Sequence, residues 1–77
     1  MHELSLMDRL VAAVTDNVHG ARVHRVRLMV GRRAGVSTQA LRFCFEICTC
    51  GTTLEGAALD IVETDGRELR LENVEVS

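Results

Sequence analysis

The spacing of apolar residues changes period along this chain, and that change limits the fold more than any other feature. Leu6, Met7, Leu10, Val11 and Val14 recur at helical spacing, so residues 4 to about 18 are read as an amphipathic helix. Ser5 or Glu3 is expected to help its start, and Gly20, just past His19, to stop it. Val26, Leu28 and Val30 then alternate with Arg25, Arg27 and Met29, the pattern of a half-buried strand, which Gly31 ends. A basic loop over residues 32–36 follows. Ser37 or Thr38 is placed to cap a second helix running to about Cys50, with Leu41, Cys44, Phe45 and Cys48 on one stripe and Gly51 closing it.

The last third carries two more strand-like runs around Thr64-Asp65-Gly66, and these are read as a hairpin. A two-residue loop would set Glu63 against Glu68 and Leu59 against Glu72. A three-residue loop instead pairs Glu63 with Arg67, Ile61 with Leu69, Leu59 with Leu71 and Asp60 with Arg70. It collects apolar residues on one face and opposes unlike charges, so it is the register expected, with Gly66 in the left-handed conformation at the end of the loop. Val74 and Val76 are out of phase with Leu69 and Leu71. A bulge near Glu72-Asn73 would return them to the core face.

The order helix-strand-helix-strand-strand predicts an α+β fold, two helices packed on one face of a three-stranded sheet. The 77 residues make one domain, 1–77, with no repeat, linker or low-complexity segment. A chain this short buries only about 60% of the surface it exposes when unfolded, so the core is thin and a large enzyme cleft is not expected. Hydrophobic content is 47% and charged content 26%, as in an ordinary folded domain rather than a disordered segment. Net charge is −2 and only two aromatic residues are present, which leaves neither the charge nor the stacking surface for nucleic acid. No apolar run reaches the roughly 20 residues of a membrane span, and Met1-His2-Glu3 does not open like a signal peptide. The expected place is the cytoplasm, where the three cysteines stay reduced. A small sheet with an uncovered edge is open to pairing, so a homodimer is a further expectation.

The first residues offer metal chemistry. His2 adjoins a free α-amine, and the amine, the imidazole and deprotonated backbone amides are strong-field nitrogen donors close enough in the chain to close small chelate rings. Square-planar nitrogen favours Ni(II) or Cu(II) over Zn(II). Taken alone, the same three residues fit an exposed, frayed terminus equally well.

Longer stretches resemble one family. Met1-His2-Glu3-Leu4-Ser5-Leu6 is similar to the M-H-E-x-S-L opening of HypA/HybF hydrogenase maturation proteins. In the family's order there follow Val26-Arg27-Leu28-Met29-Val30-Gly31, Leu41-Arg42-Phe43-Cys44-Phe45-Glu46, Gly51-Thr52, Glu55-Gly56-Ala57, Leu59-Asp60-Ile61 and the closing run from Glu68 to Val76. The resemblance implies a nickel metallochaperone, not an enzyme. It implies Ni(II) held by Met1 (α-amine), His2 (imidazole and amide) and Glu3 (amide). It further implies delivery to a [NiFe]-hydrogenase large-subunit precursor together with the maturation GTPase, which Glu3 and the first helix would touch. Urease is the destination in some relatives.

The family's zinc module, with two C-x-x-C pairs between the last two strands, has no counterpart here: residues 63–67 join the two runs directly. No structural zinc is therefore expected, and an interaction module that binds the GTPase or the hydrogenase precursor without delivering nickel is the alternative reading. Cys44 and Cys48 lie on the apolar stripe and are read as core, with Cys50 near the helix end as the candidate redox or dimer-linking thiol. Tetrahedral zinc wants four converging ligands, and no fourth is evident. His19, His24, Arg25, Arg27, Arg32 and Arg33 are read as surface residues.

Overall fold

The computed structural model describes residues 2–77. Its elements run α1 (Glu3–Val18), β1 (Val23–Gly31), α2 (Thr38–Thr49), β2 (Ala58–Thr64) and β3 (Leu69–Val76), the order expected. The two helices lie against one face of a three-stranded mixed sheet, and the α+β class holds.

Local chemistry accounts for the helices. Met7, Val11 and Val14 form the buried stripe of α1, with Leu6, Leu10 and Val18 packed beside it. The helix begins at Glu3, with His2 in the capping position, so Ser5 lies inside the first turn and is not the cap. At the other end His19 itself takes the left-handed conformation (φ 50°) and Gly20 follows at φ 84°. Histidine tolerates this region better than most side chains. Ser37 caps α2: its Oγ accepts from the Ala40 amide at 3.1 Å. Leu41, Cys44, Phe45 and Thr49 are buried along α2. Thr49 answers its own burial by donating its hydroxyl to the Phe45 carbonyl at 2.7 Å.

The sheet order is β2-β1-β3. β1 runs parallel to β2, through the α2 crossover, and antiparallel to β3. The hairpin expected between the last two strands is therefore corrected: β2 and β3 never pair, because β1 lies between them. β1 is the most buried strand, with Val23, Val26, Leu28 and Val30 all at or below 2% exposure, and the middle of the sheet is where such a strand is covered on both sides. Ile61 faces Leu28 instead of Leu69, and Leu69 faces Val30. Residues 65–68 cross over the end of β1. Gly31, Arg32 and Arg33 donate their amides to the carbonyls of Glu68 (2.6 Å), Thr64 (2.9 Å) and Gly66 (2.9 Å). Gly66 is not among the residues with positive φ, so the left-handed position expected there is also corrected.

The bulge is found where the phase break in the sequence put it. Arg27 faces Asn73 and Leu28 faces Leu71, so Glu72 is the extra residue. Leu69, Leu71 and Val74 consequently stand opposite buried residues of β1, and a second register shift, between Val23 and Arg25, sets Val76 opposite Val23. On the far face of the sheet, Arg25 donates from Nη1 to both carboxylate oxygens of Asp60 at 2.9 Å, and Arg27 approaches the same group at 3.7 Å. Asp60 is thus partnered from β1 and not by Arg70, which reaches Glu72 at 3.7 Å. Leu54, in the loop after α2, is fully buried and completes the core. Among the described residues no helix is long and apolar enough to cross a membrane.

Candidate metal centre

The start of α1 leaves main-chain nitrogen without a helical acceptor. The first amides of any helix lack an acceptor one turn earlier. Here His2 is extended (φ −89°, ψ 114°), and its carbonyl accepts the first helical bond from the Leu6 amide at 3.2 Å. The amides of His2 and Glu3 belong to the group that no helical carbonyl can satisfy. The His2 side chain is exposed and makes no capping bond. The α-amine expected as a ligand belongs to Met1, which lies outside the described residues.

Glu3 has its side chain engaged elsewhere. Its Oε2 accepts from the Ser37 amide at 2.9 Å, at the start of α2. That bond, and a lesser one from its own amide, hold the Glu3 carboxyl below its ordinary range. In this conformation the carboxylate is turned to α2 and, more weakly, to its own backbone nitrogen. The contact joins positions 34 residues apart, and no spacing rule in the sequence signals it. His2 also stands at the mouth of a groove of about 450 Å³ between α1 and the sheet, walled by Leu6 and Arg9 and floored by Leu28, Leu69 and Leu71.

The other candidate ligands do not converge. Among the described residues no three His, Cys, Asp or Glu side chains come together so as to hold a metal ion. Cys44 is buried, Cys48 half-buried and Cys50 exposed, and Cys50 Sγ lies 3.3 Å from the Glu46 carbonyl. These residues do not fit a four-ligand zinc site. Burial, and next the nearby Asp8 carboxylate, push the Cys48 thiol up. Iodoacetamide at pH 8 is therefore expected to label Cys50 first, Cys48 slowly and Cys44 only on unfolding. Mass spectrometry of timed samples checks the order, and equal rates would contradict it. His19 sits at the end of α1, and the His24 ring contacts the Ser77 hydroxyl.

Known proteins share both sequence and shape with this chain. The family model described as hydrogenase/urease nickel incorporation, metallochaperone, HypA matches residues 1–69. The hydrogenase maturation factor HypA of Nostoc punctiforme is 48% identical over 66 residues, covering 86% of this chain and 58% of its own length. That of Beijerinckia indica is 51% identical over 69 residues, covering 86% of this chain and 61% of its own length. The chain thus spans about three-fifths of the length of these curated relatives. The solution structure of the Ni metallochaperone HypA from Helicobacter pylori superposes over the whole of this chain and 87% of that one, with a TM-score of 0.72 at 20% identity, a likeness of fold. The family match and the two relatives settle membership: this chain belongs to the HypA family of hydrogenase and urease nickel-incorporation metallochaperones.

Proposed function

We propose that residues 1–77 act as one nickel-binding domain that takes Ni(II) at its N-terminus and delivers it for [NiFe]-hydrogenase maturation. The ligands are the Met1 α-amine, the His2 imidazole and amide, and the Glu3 amide. Nickel is cargo here, and no resident zinc takes part. The observation that carries the reading is the placement of His2: exposed, extended, and at the one point of α1 where backbone nitrogens have no helical partner. The Glu3–Ser37 bond supports it by anchoring the residue after the chelate to α2. The partners proposed are the maturation GTPase and the hydrogenase large-subunit precursor, met in the cytoplasm.

Calorimetry and visible absorption with Ni(II) test this on the parent, on His2→Ala and on protein acetylated at Met1. The parent is expected to bind one nickel with a square-planar spectrum. Loss of the imidazole is expected to weaken binding at least about 100-fold, since even outer-shell partners are worth about 10–100-fold. Because two amides and the amine must shed protons, affinity should rise with pH. Equal binding by all three proteins would remove the terminus as the site. The direct closure of residues 64–69 over β1, with no module between the strands, favours one second reading, an interaction module. Capture of the GTPase by His2→Ala, with no nickel bound by the parent, would select it.

A further inference from the structure

We propose that Cys44 and Cys48 form a second metal site, which takes a single Cu(I) ion between two thiolates at the seam of α1 and α2 and uses none of the nickel ligands. Both residues lie within α2, one turn apart and so on one face of the helix. Side chains of a helix lean toward its N-terminus, which brings the Cys48 side chain back over the turn that carries Cys44. Both thiols are free. Cys44 is 8% exposed and belongs to the core, and Cys48 packs against that core half-buried. Cys50 is two positions further but takes no part. It caps the helix, is exposed, and turns its Sγ to the Glu46 carbonyl.

The spacing decides what such a pair can do. Cβ atoms four residues apart on a helix are about 5–6 Å from each other. A disulfide brings them to about 3.5–4.5 Å. The pair is therefore too wide to oxidise without unwinding α2, whereas an ion held between the sulfurs spans the gap. The kind of ion follows from the donors. Zn(II) asks for four converging ligands, and among the described residues no three His, Cys, Asp or Glu side chains come together. Square-planar Ni(II) favours nitrogen. Cu(I) is soft, is selected by thiolate sulfur, and is satisfied by two ligands in line. On binding, two S–Cu bonds form, two thiol protons leave to solvent, and copper keeps its oxidation state.

The surroundings suit a soft ion. Cys48 opens into a recess of about 470 Å³ between the helices, lined also by Leu4, Ser5, Asp8 and Ile47. Leu4 and Ile47 are 42% and 50% exposed, so the recess reaches the surface and gives a small ion a way in. Beneath it the apolar core around Cys44 keeps water from the far sulfur. The Cys48 thiol is pushed up by burial, then by the Asp8 carboxylate and by Cys44, so the two cysteines are close enough to feel each other's charge. A thiol held protonated in this way is slow to react with alkylating agents, yet yields its proton to a metal. Asp8 opposes the negative charge of a bis-thiolate complex, and its hard oxygens are poor ligands for Cu(I), so affinity rests on the two S–Cu bonds.

Anaerobic titration of the reduced whole chain with Cu(I) held by bicinchoninate, whose colour falls as the ion transfers, tests the site. The parent, His2→Ala and Cys50→Ala are each expected to take one Cu(I). Cys44→Ala and Cys48→Ala should each bind at least about 100-fold more weakly, since even outer-shell partners are worth about 10–100-fold. X-ray absorption at the copper edge should find two sulfur neighbours and no nitrogen. Circular dichroism of each variant confirms the fold. Cys48 is only half-buried, so Cys48→Ala keeps the test decisive if Cys44→Ala unfolds. No transfer to the parent, undiminished transfer to Cys48→Ala, or loss of transfer in His2→Ala or Cys50→Ala would each overturn the proposal.

Discussion

Gly31→Ala is expected to remove about 2–4 kcal/mol of stability, the largest loss of any single glycine substitution in the chain. A Cβ built on Gly31 overlaps the Gly66 carbonyl group and falls within 2.8 Å of the Arg67 nitrogen. These are main-chain atoms, which cannot rotate away as a side chain could. Relief requires the crossing connection to lift, and lifting it breaks the bonds from Gly31, Arg32 and Arg33 to Glu68, Thr64 and Gly66. At roughly 0.5–1.5 kcal/mol each, their loss comes to about 2–4 kcal/mol. Total stability for a chain of this length is about 4–12 kcal/mol. Gly66→Ala is the informative contrast, because its Cβ would meet only the flexible end of the Glu68 side chain. A hairpin with Gly66 left-handed makes the opposite prediction: Gly66→Ala costly, Gly31→Ala mild. Urea unfolding of the two variants distinguishes the topologies directly, and a smaller loss for Gly31→Ala than for Gly66→Ala would contradict the crossing.

Leu41→Ala should be comparably damaging by a different route. Leu41 is 0% exposed and faces the sheet from α2, so truncation removes a fully buried side chain and leaves a cavity, worth about 2–5 kcal/mol. In a core this thin, few neighbours can close the space. Phe43, two residues on, is 65% exposed. Phe43→Ala should change stability by no more than about 0.5 kcal/mol. Thermal or urea unfolding of the pair measures the difference, and equal effects would mean that α2 presents another face to the sheet.

The faces of the elements were legible in the sequence because burial imposes a period. Stripes at 3.6 and alternation at 2 marked both helices and the inward side of β1, and the phase break before Val74 located the bulge at Glu72. The neighbour order of the strands was not legible. Hairpin and crossing place the same residues of β2 and β3 toward the helices and run the two strands in the same opposed directions, so the apolar pattern does not separate them. What separates them is the close approach at Gly31, a contact between glycines 35 positions apart that periodicity does not record. Leu54 escaped notice for a related reason: it lies in an aperiodic loop and is buried by tertiary contact alone. At the candidate metal centre His2 could be singled out by position, whereas the tie from Glu3 to Ser37 exists only once α1 and α2 have packed.

The central position of β1 also sets an order in time. Its neighbours are residues 58–64 and 69–76, so the middle strand, made early, stays open on both margins until the last quarter of the chain has been synthesised. Pairings such as Val23 with Val76 close loops of some fifty residues, the kind of contact that slows folding. A ribosome elongating at roughly 5–20 residues per second adds residues 31–76 in a few seconds. During that interval Val26, Leu28 and Val30 lack both of the strands that flank them in the folded sheet. Packing of α1 and α2 on a complete sheet, and with it the Glu3–Ser37 tie beside the proposed nickel ligands, is therefore expected to wait on the C-terminal strands, although residues 1–3 are translated first.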